Sequence, residues 1–358
     1  MADSLSDIRR KIDALDARLV QLLSARARLA QQAWQAKGGA AAYKPEREAQ
    51  VLRRVRALNK GPLTSVALGR LFTEIMSACR ALEDQLTVAY LGPAGTFSQE
   101  AVVKHFGSAT DSQSHATIDE VFRAVETGTA GYGVVPVENS TDGAVGRTLD
   151  LLLNTSARIC GEVMLPVRQC LMSVARRRDA IRTVYSHTQS LAQCQQWLAR
   201  NLPQAGLVAA VSNAEAARLA SKDRRSAAIA SRTAATLYGL RLLARNIEDD
   251  SKNTTRFAVI GVEDAAPSGR DKTSLVLATR NVPGAVHDLL TPLAQHGVSM
   301  TRLESRPART GLWEYVFYVD IEGHRQEPRV GRALTALARK ASFLKVLGSY
   351  PAADKKSV

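Results

Sequence analysis

The chain has 358 residues, 48 Lys and Arg against 34 Asp and Glu for a net charge of +14, and 45% hydrophobic residues. That length exceeds one ordinary core and favours two or three domains, and no apolar run reaches the roughly 18 residues of a membrane span. The excess charge divides as +6, +2 and +6 over residues 1–86, 87–271 and 272–358. This is too dispersed for a nucleic-acid-binding arm, and no zinc-finger or aromatic RNA-binding motif accompanies it, so neither nucleic acid nor membrane is expected as a partner. The first residues are acidic and capping-like rather than basic and then apolar, which predicts a cytoplasmic protein. Cys79, Cys160, Cys170 and Cys194 lack metal-ligand spacing. Reduced thiols are expected, with no metal or other cofactor.

Residues 1–86 read as helical. Ser4 to Asp7 offers a cap, and Ile8, Ile12, Leu15, Leu19 and Leu22 then recur at spacings of four and three, predicting a long amphipathic helix to about Lys37, where Gly38-Gly39 stops it. Pro45 opens a second helix, with Val51, Leu52, Val55 and Leu58 on its apolar face, and Gly61-Pro62 ends it. Leu68, Leu71, Phe72, Ile75 and Leu82 mark a third. Three helices of such unequal length do not readily enclose a core, so pairing with a second copy is expected, as a homodimer or higher homo-oligomer.

From residue 87 to 264 short β-branched runs alternate with helical stretches at about 98–106, 117–127, 189–200 and 213–221, the pattern of an α/β domain. Residues 263–272, with Pro267 and Gly269, read as a linker. Residues 272–351 follow as strand (274–279), helix (284–296), strands (299–306 and 313–321), helix (329–340) and strand (344–350). This βαββαβ order predicts an α+β, ferredoxin-like domain.

Charges fall where the helices ought to be apolar. The first seam, continued from Leu22, lands on Arg26 and later on Lys37; Arg47 and Glu48 adjoin the second stripe; Cys79 and Glu83 follow Ile75. Such charges are either internal salt bridges and snorkelling side chains or the lining of an anion site. At about 1.5 Å per residue, Arg26 and Lys37 lie about 16 Å apart on nearly the same helix face, so two long side chains can flank one small ligand. Arg9 lies about 25 Å from Arg26, and reaches the same kind of site only from a partner chain. In the α/β domain Thr96 and Ser98 follow a glycine turn that opens a helix, Glu138, Asn139 and Ser140 end an apolar strand, Ser186, His187 and Gln189 occupy another strand-to-helix turn, and Thr255 starts a strand. Each has a plain reading as a cap or turn; together they lie where two α/β lobes facing each other would form a ligand cleft.

Four stretches occur in order: Gly92-Pro93-Ala94-Gly95-Thr96-Phe97-Ser98, Val135-Pro136-Val137-Glu138-Asn139-Ser140, Asn253-Thr254-Thr255-Arg256-Phe257 and Glu304-Ser305-Arg306-Pro307. With the helical segment ahead of them they resemble the bifunctional chorismate mutase/prephenate dehydratases, bacterial P-proteins that end in a phenylalanine-sensing ACT domain. The resemblance covers nearly the whole chain. It implies an all-helical mutase at residues 1–86, a two-lobed, periplasmic-binding-protein-like dehydratase at 87–264 and an ACT domain at 272–351.

It also implies roles. Chorismate would be held by Arg9 of one subunit with Arg26, Lys37, Arg47, Glu48, Cys79 and Glu83 of the other. Lys37 and Glu83 would face the ether oxygen, and Glu83 stands where some members have glutamine, so it must be protonated to donate, with burial raising its pKa. Lys44 and Cys79 occupy positions at which members differ. Prephenate would be clamped by Thr96, Ser98, Asn139, Ser140, Ser186 and Gln189, with Thr255 as proton donor, assisted by either Glu138 or His187. L-Phenylalanine, the inhibitor, would bind at Gly284, Ala285, Val286, Glu304, Ser305 and Arg306, with Val286 replacing a frequent leucine. A non-catalytic sensor, or a relative that prefers arogenate, are the rival readings.

Overall fold

The computed structural model describes residues 3–36, 38, 43–280, 282–307 and 315–353; Lys37, Gly39 and Trp313 lie outside the described residues. Three helices open the chain: α1 (Leu5–Ala36), α2 (Pro45–Leu58) and α3 (Ser65–Arg80). Pro45 sits in the first turn of α2, where its missing N–H costs nothing, and Thr64 caps α3 by accepting from Ala67 N. Helix α1 buries no residue of its own, and Leu5, Ile8, Ile12, Leu15, Leu19 and Leu22 are each 43–65% exposed. Its apolar seam is thus present but uncovered in the single chain.

The central domain has two lobes. The first contains β1 (Thr87–Leu91), α4 (Phe97–Phe106), β2 (Asp111–His115), α5 (Ile118–Glu126), β3 (Tyr132–Asn139), the short β4 (Gly143–Ala144), α6 (Gly146–Asn154) and β5 (Arg158–Pro166). The second contains β6 (Cys170–Ser173), β7 (Thr183–Ser186), α7 (Thr188–Gln193), α8 (Gln195–Asn201), β8 (Gly206–Ala209), α9 (Asn213–Ala220), β9 (Ser226–Ala230), α10 (Arg232–Leu237) and β10 (Arg241–Arg245). The chain then returns as β11 (Thr254–Gly261) to lie antiparallel between β3 and β5, giving sheet orders β2-β1-β3-β11-β5 and β10-β6-β9-β7-β8. Two crossings between two α/β sheets make the expected two-lobed, binding-protein-like fold. The helix predicted at 189–200 is two helices, α7 and α8, meeting at Cys194.

The C-terminal domain comprises β12 (Asp271–Ala278), α11 (Ala285–Gln295), β13 (Met300–Pro307), β14 (Tyr315–Glu322), α12 (Pro328–Lys340) and β15 (Phe343–Pro351), in sheet order β13-β14-β12-β15. This is the ferredoxin-like order. The segment before it is no loose tether, for Ala265, Ser268 and Asp271 are all buried and Arg53 of α2 bonds to the Ser268 carbonyl. Domain boundaries are also crossed by the cores. Val276, Val316, Tyr318, Leu347 and Tyr350 pack in one cluster with Leu149, Leu152, Ile159 and Ala258, and Tyr43 packs with Phe106 and Tyr132, both ring centroids 4.9 Å away.

Candidate active sites

A cavity of about 320 Å³ opens among the three N-terminal helices, lined by Arg26, Trp34, Lys44, Arg47, Glu48, Cys79, Arg80 and Glu83 with apolar neighbours. The helical spacings therefore bring Arg26, Arg47, Glu48, Cys79 and Glu83 together as expected. Arg26 Nη1 donates to Cys79 Sγ at 3.0 Å. Glu83 lies just beyond α3, in the turn where its N–H bonds to the Arg80 carbonyl at 2.8 Å. Burial pushes the Glu48 carboxyl above the usual carboxylate range, while Arg80 and then Arg26 pull it back. Arg80, unforeseen in the sequence, makes the ion pair with Glu48. Arg9 does not line this cavity, and on one continuous helix it stays about 25 Å from Arg26.

The second site lies at the carboxyl ends of strands in the two lobes, where open α/β sheets bind ligands. Strands β3 and β11 pair so that Thr255 faces Asn139 and Arg256 faces Glu138. Asn139 Nδ2 donates to Thr255 Oγ1 at 2.9 Å and to Asn253 Oδ1 at 2.8 Å, while its Oδ1 accepts from Thr141 N and Asp142 N. Ser140 Oγ accepts from Thr254 N at 3.0 Å. Thr96 precedes α4 and donates to the Leu91 carbonyl at 3.2 Å, and Ser98 is buried in the first turn of α4. Across the cleft Ser186 donates to Asn213 Oδ1 and to the Ile229 carbonyl, His187 caps α7 through Gln189 N, and Gln189 bonds to Asp142 of the first lobe.

Two bridging contacts were not foreseen. Ser231 Oγ donates to the Gly95 carbonyl at 3.0 Å, and Thr233 Oγ1 donates to Glu100 at 2.7 Å, joining the lobes. Gly95 has φ +87°, and a Cβ there would lie 3.3 Å from Ala234 Cα, so turn and lobe contact both call for glycine. Ser231 caps α10, and a capping signature alone does not distinguish an ordinary cap from a bridge.

Glu138 departs from expectation. Successive strand residues point to opposite faces, so when Asn139 faces Thr255, Glu138 faces away, and its Oε2 accepts from Arg302 of β13 at 2.8 Å. Glu138 is therefore not placed to assist Thr255. Arg256 likewise turns to the C-terminal domain, donating to Asp320 and the Tyr350 hydroxyl (2.9 Å), and on the way to Glu162 of β5 (2.9 Å). Burial opposes charge on Asp320, yet Arg256 and Ser274 hold its carboxyl below the usual range.

In the C-terminal domain, Gly284 adopts φ +78° ahead of α11; the Ala285 N–H bonds to the Val282 carbonyl at 3.1 Å, and the Val286 N–H, in the first turn, lacks an intrahelical acceptor. Glu304, Ser305 and Arg306 lie on the edge strand β13, and the register Ala278–Val316–Arg306 places them at the same end of the sheet as the start of α11. The Arg306 guanidinium does not stand open: it pairs with Asp150 of α6 at 3.1 Å and lies against Gly146.

The full length of the chain finds relatives. It is 52% identical over 348 residues, 96% of each sequence, to a bifunctional chorismate mutase/prephenate dehydratase of Neisseria gonorrhoeae. The chain belongs to that family. A Pseudomonas aeruginosa bifunctional chorismate mutase/prephenate dehydratase is 49% identical over 359 residues, 98% of each chain. Family models match in order: chorismate mutase type II at residues 8–84, prephenate dehydratase at 88–265 and ACT domain at 273–339. A solved prephenate dehydratase from Arthrobacter aurescens, in complex with L-Phe, is 33% identical and superposes with a TM-score of 0.70, covering 75% of this chain and 91% of that one. The helical cavity thus belongs to the mutase domain, the cleft to the dehydratase domain and the α11/β13 end to the ACT domain. Among the described residues no helix is long and apolar enough to cross a membrane.

Proposed function

We propose that the chain converts chorismate to prephenate in the helical cavity and prephenate to phenylpyruvate in the cleft, under inhibition by L-phenylalanine at the ACT domain. The observation that carries the reading is the coincidence of full-length family membership with a charged cavity in the mutase domain and a Thr255–Asn139 pair at the cleft of the dehydratase domain.

In the mutase, Arg26 and Arg47, with Lys37 and the partner's copy of Arg9, would hold the two carboxylates of chorismate in the folded conformer. Negative charge then grows on the ether oxygen, which Lys37 and a protonated Glu83 would meet, so the step needs orientation and electrostatics without a covalent intermediate. The uncovered α1 seam supports a homodimer that completes each site with a second subunit.

In the dehydratase, loss of carbon dioxide and hydroxide needs a proton donor at the departing oxygen. The bond from Asn139 Nδ2 occupies a lone pair of Thr255 Oγ1, which leaves the hydroxyl proton to point at substrate and stabilises the oxygen as it becomes negative. The Asn139 amide is held in that orientation by the Thr141 and Asp142 N–H groups. Asn139, rather than Glu138, is thus the assisting neighbour. Thr96, Ser98, Ser140, His187 and Gln189 would bind the carboxylates and hydroxyl of prephenate, whereas Ser186, fully buried with its hydroxyl on Asn213 and the Ile229 carbonyl, would hold the turn that carries His187 and Gln189. L-Phenylalanine would meet the α11 first-turn N–H groups through its carboxylate. Its effect would reach the cleft through Glu138–Arg302 and Arg256–Asp320, since each joins the ACT domain to a residue adjacent to Asn139 or Thr255. A cytoplasmic location fits the biosynthetic role.

Feeding chorismate to the purified protein and following chorismate, prephenate and phenylpyruvate, with and without L-phenylalanine, tests the whole reading. Prompt, phenylalanine-sensitive phenylpyruvate formation is expected. Absence of turnover would leave only the sensor alternative.

A further inference from the structure

Arg80 ends α3 and is only 5% exposed, yet its guanidinium is shared between two domains. One nitrogen bonds to the Glu48 carboxylate on the wall of the mutase cavity, and the other bonds to the Phe106 carbonyl of the dehydratase domain. Phe106 is the last residue of α4, so that carbonyl lacks an intrahelical partner and sits at the negative end of the helix dipole. The same guanidinium lies 5.4 Å from the centroid of the Tyr43 ring. Tyr43 in turn bonds to His105 of α4 at 2.6 Å. Next to Phe106, Gly107 has φ +79° and approaches Ser77 of α3 so closely that a Cβ would fall 2.4 Å from Ser77 Cβ. Arg80 is therefore clamped from the dehydratase side at close backbone range.

We propose that Arg80 is a positioning residue for the mutase: docked against the dehydratase domain, it fixes the Glu48 carboxylate on the cavity wall. The inference rests on the mutase reading of that cavity. Glu48 is faced by Arg26 from α1, Arg80 from α3, Glu83 from the following turn and Tyr43 ahead of α2. Arg80 makes the direct ion pair with it. Without that guanidinium the carboxylate keeps its burial, loses its main cationic neighbour and protonates at higher pH. The dehydratase domain then acts on the first reaction without touching chorismate, by holding the arginine that holds Glu48.

The test uses the full chain. Arg80→Met should lower mutase kcat/KM about tenfold or more and move the acidic limb of its pH profile upward, while the rate on added prephenate stays at the wild-type level and reports that the fold is intact. Arg80→Lys keeps the charge but not the fork, and should return the limb toward its original position with only partial recovery of rate. In a Glu48→Gln background Arg80→Met should cost little further, because the group it acts through is gone. An unmoved acidic limb in Arg80→Met, or the same fold-loss with and without Glu48, overturns the proposal. Should Arg80→Met fail to fold, Arg80→Lys decides: a wild-type mutase rate there overturns it as well. Failure of wild-type protein to consume chorismate would instead remove the mutase reading itself.

Discussion

Thr255 and Arg256 are neighbours on β11 that serve different domains. Thr255 Oγ1 accepts from Asn139 at the cleft, whereas the Arg256 guanidinium reaches through the opposite face to Asp320 and Tyr350 of the ACT sheet. The paired strand β3 repeats the division, with Asn139 at the cleft and Glu138 on Arg302.

Thr255→Ala should remove the proton donor alone. Phenylpyruvate formation is expected to fall by about 10²-fold or more, with prephenate accumulating from chorismate at the wild-type rate. Dehydration that persists in this variant would sink the assignment.

Regulation should be separable from chemistry at Arg302. Arg302→Gln breaks the link to Glu138 and should raise the phenylalanine concentration for half-inhibition by about five- to tenfold, the scale of a typical coupling energy. Dehydratase rate without inhibitor is measured beside it. Unchanged inhibition would show that the signal takes another route.

Glu83 is only partly buried, short of the burial expected for it, and its role is best separated by donor capacity. Glu83→Gln, a neutral donor, should keep mutase activity, whereas Glu83→Ala, which has no donor, should lower kcat by about 10²-fold or more. An alanine variant at the wild-type rate would take Glu83 out of this role.

Arg9→Ala and Arg26→Ala proteins should each lack mutase activity, yet regain about a quarter of it when unfolded together and refolded. Half of the dimers are then mixed, and each mixed dimer carries one intact site out of two. No recovery would mean that both arginines act within one subunit.

His105 predicts a stability effect. Burial, aided by Arg80, lowers its pKa to about 4, so the folded protein keeps a neutral imidazole while the unfolded chain protonates near pH 6.5. The unfolded state therefore takes up the proton first, and stability present above about pH 6.5 drains away toward pH 4, by on the order of 3 kcal/mol. Urea unfolding across that window should show the slope in wild type and lose it in His105→Phe. An equal slope in both would assign it to other groups.

What sequence reading could reach depended on the kind of pattern. Charges on helical seams are visible because period and polarity conflict at Arg26 and Glu48, and both line the cavity. The face of Glu138 was not visible, since it depends on the register between β3 and β11, which neither strand states alone. Strand β9, Ser226-Ala227-Ala228-Ile229-Ala230, is wholly buried but built mainly of small residues with weak strand preference, so it gave no signal. Arg80 reads as a surface charge at a helix end until Phe106, 26 residues away, is folded against it.

Lys345 of β15 donates to the carbonyls of Leu152, Leu153 and Thr155, closing the C-terminal end of α6 from the ACT side. Together with the hydrophobic cluster that runs from Leu149 to Tyr350, this makes the effector domain part of the wall of the enzyme. A chain cut before β12 would expose apolar surface and leave a catalytic-lobe helix uncapped. Feedback control in such a protein is not a detachable cassette, and a stable variant that escapes inhibition is expected from point changes at the α11/β13 end or at the seam rather than from loss of the domain.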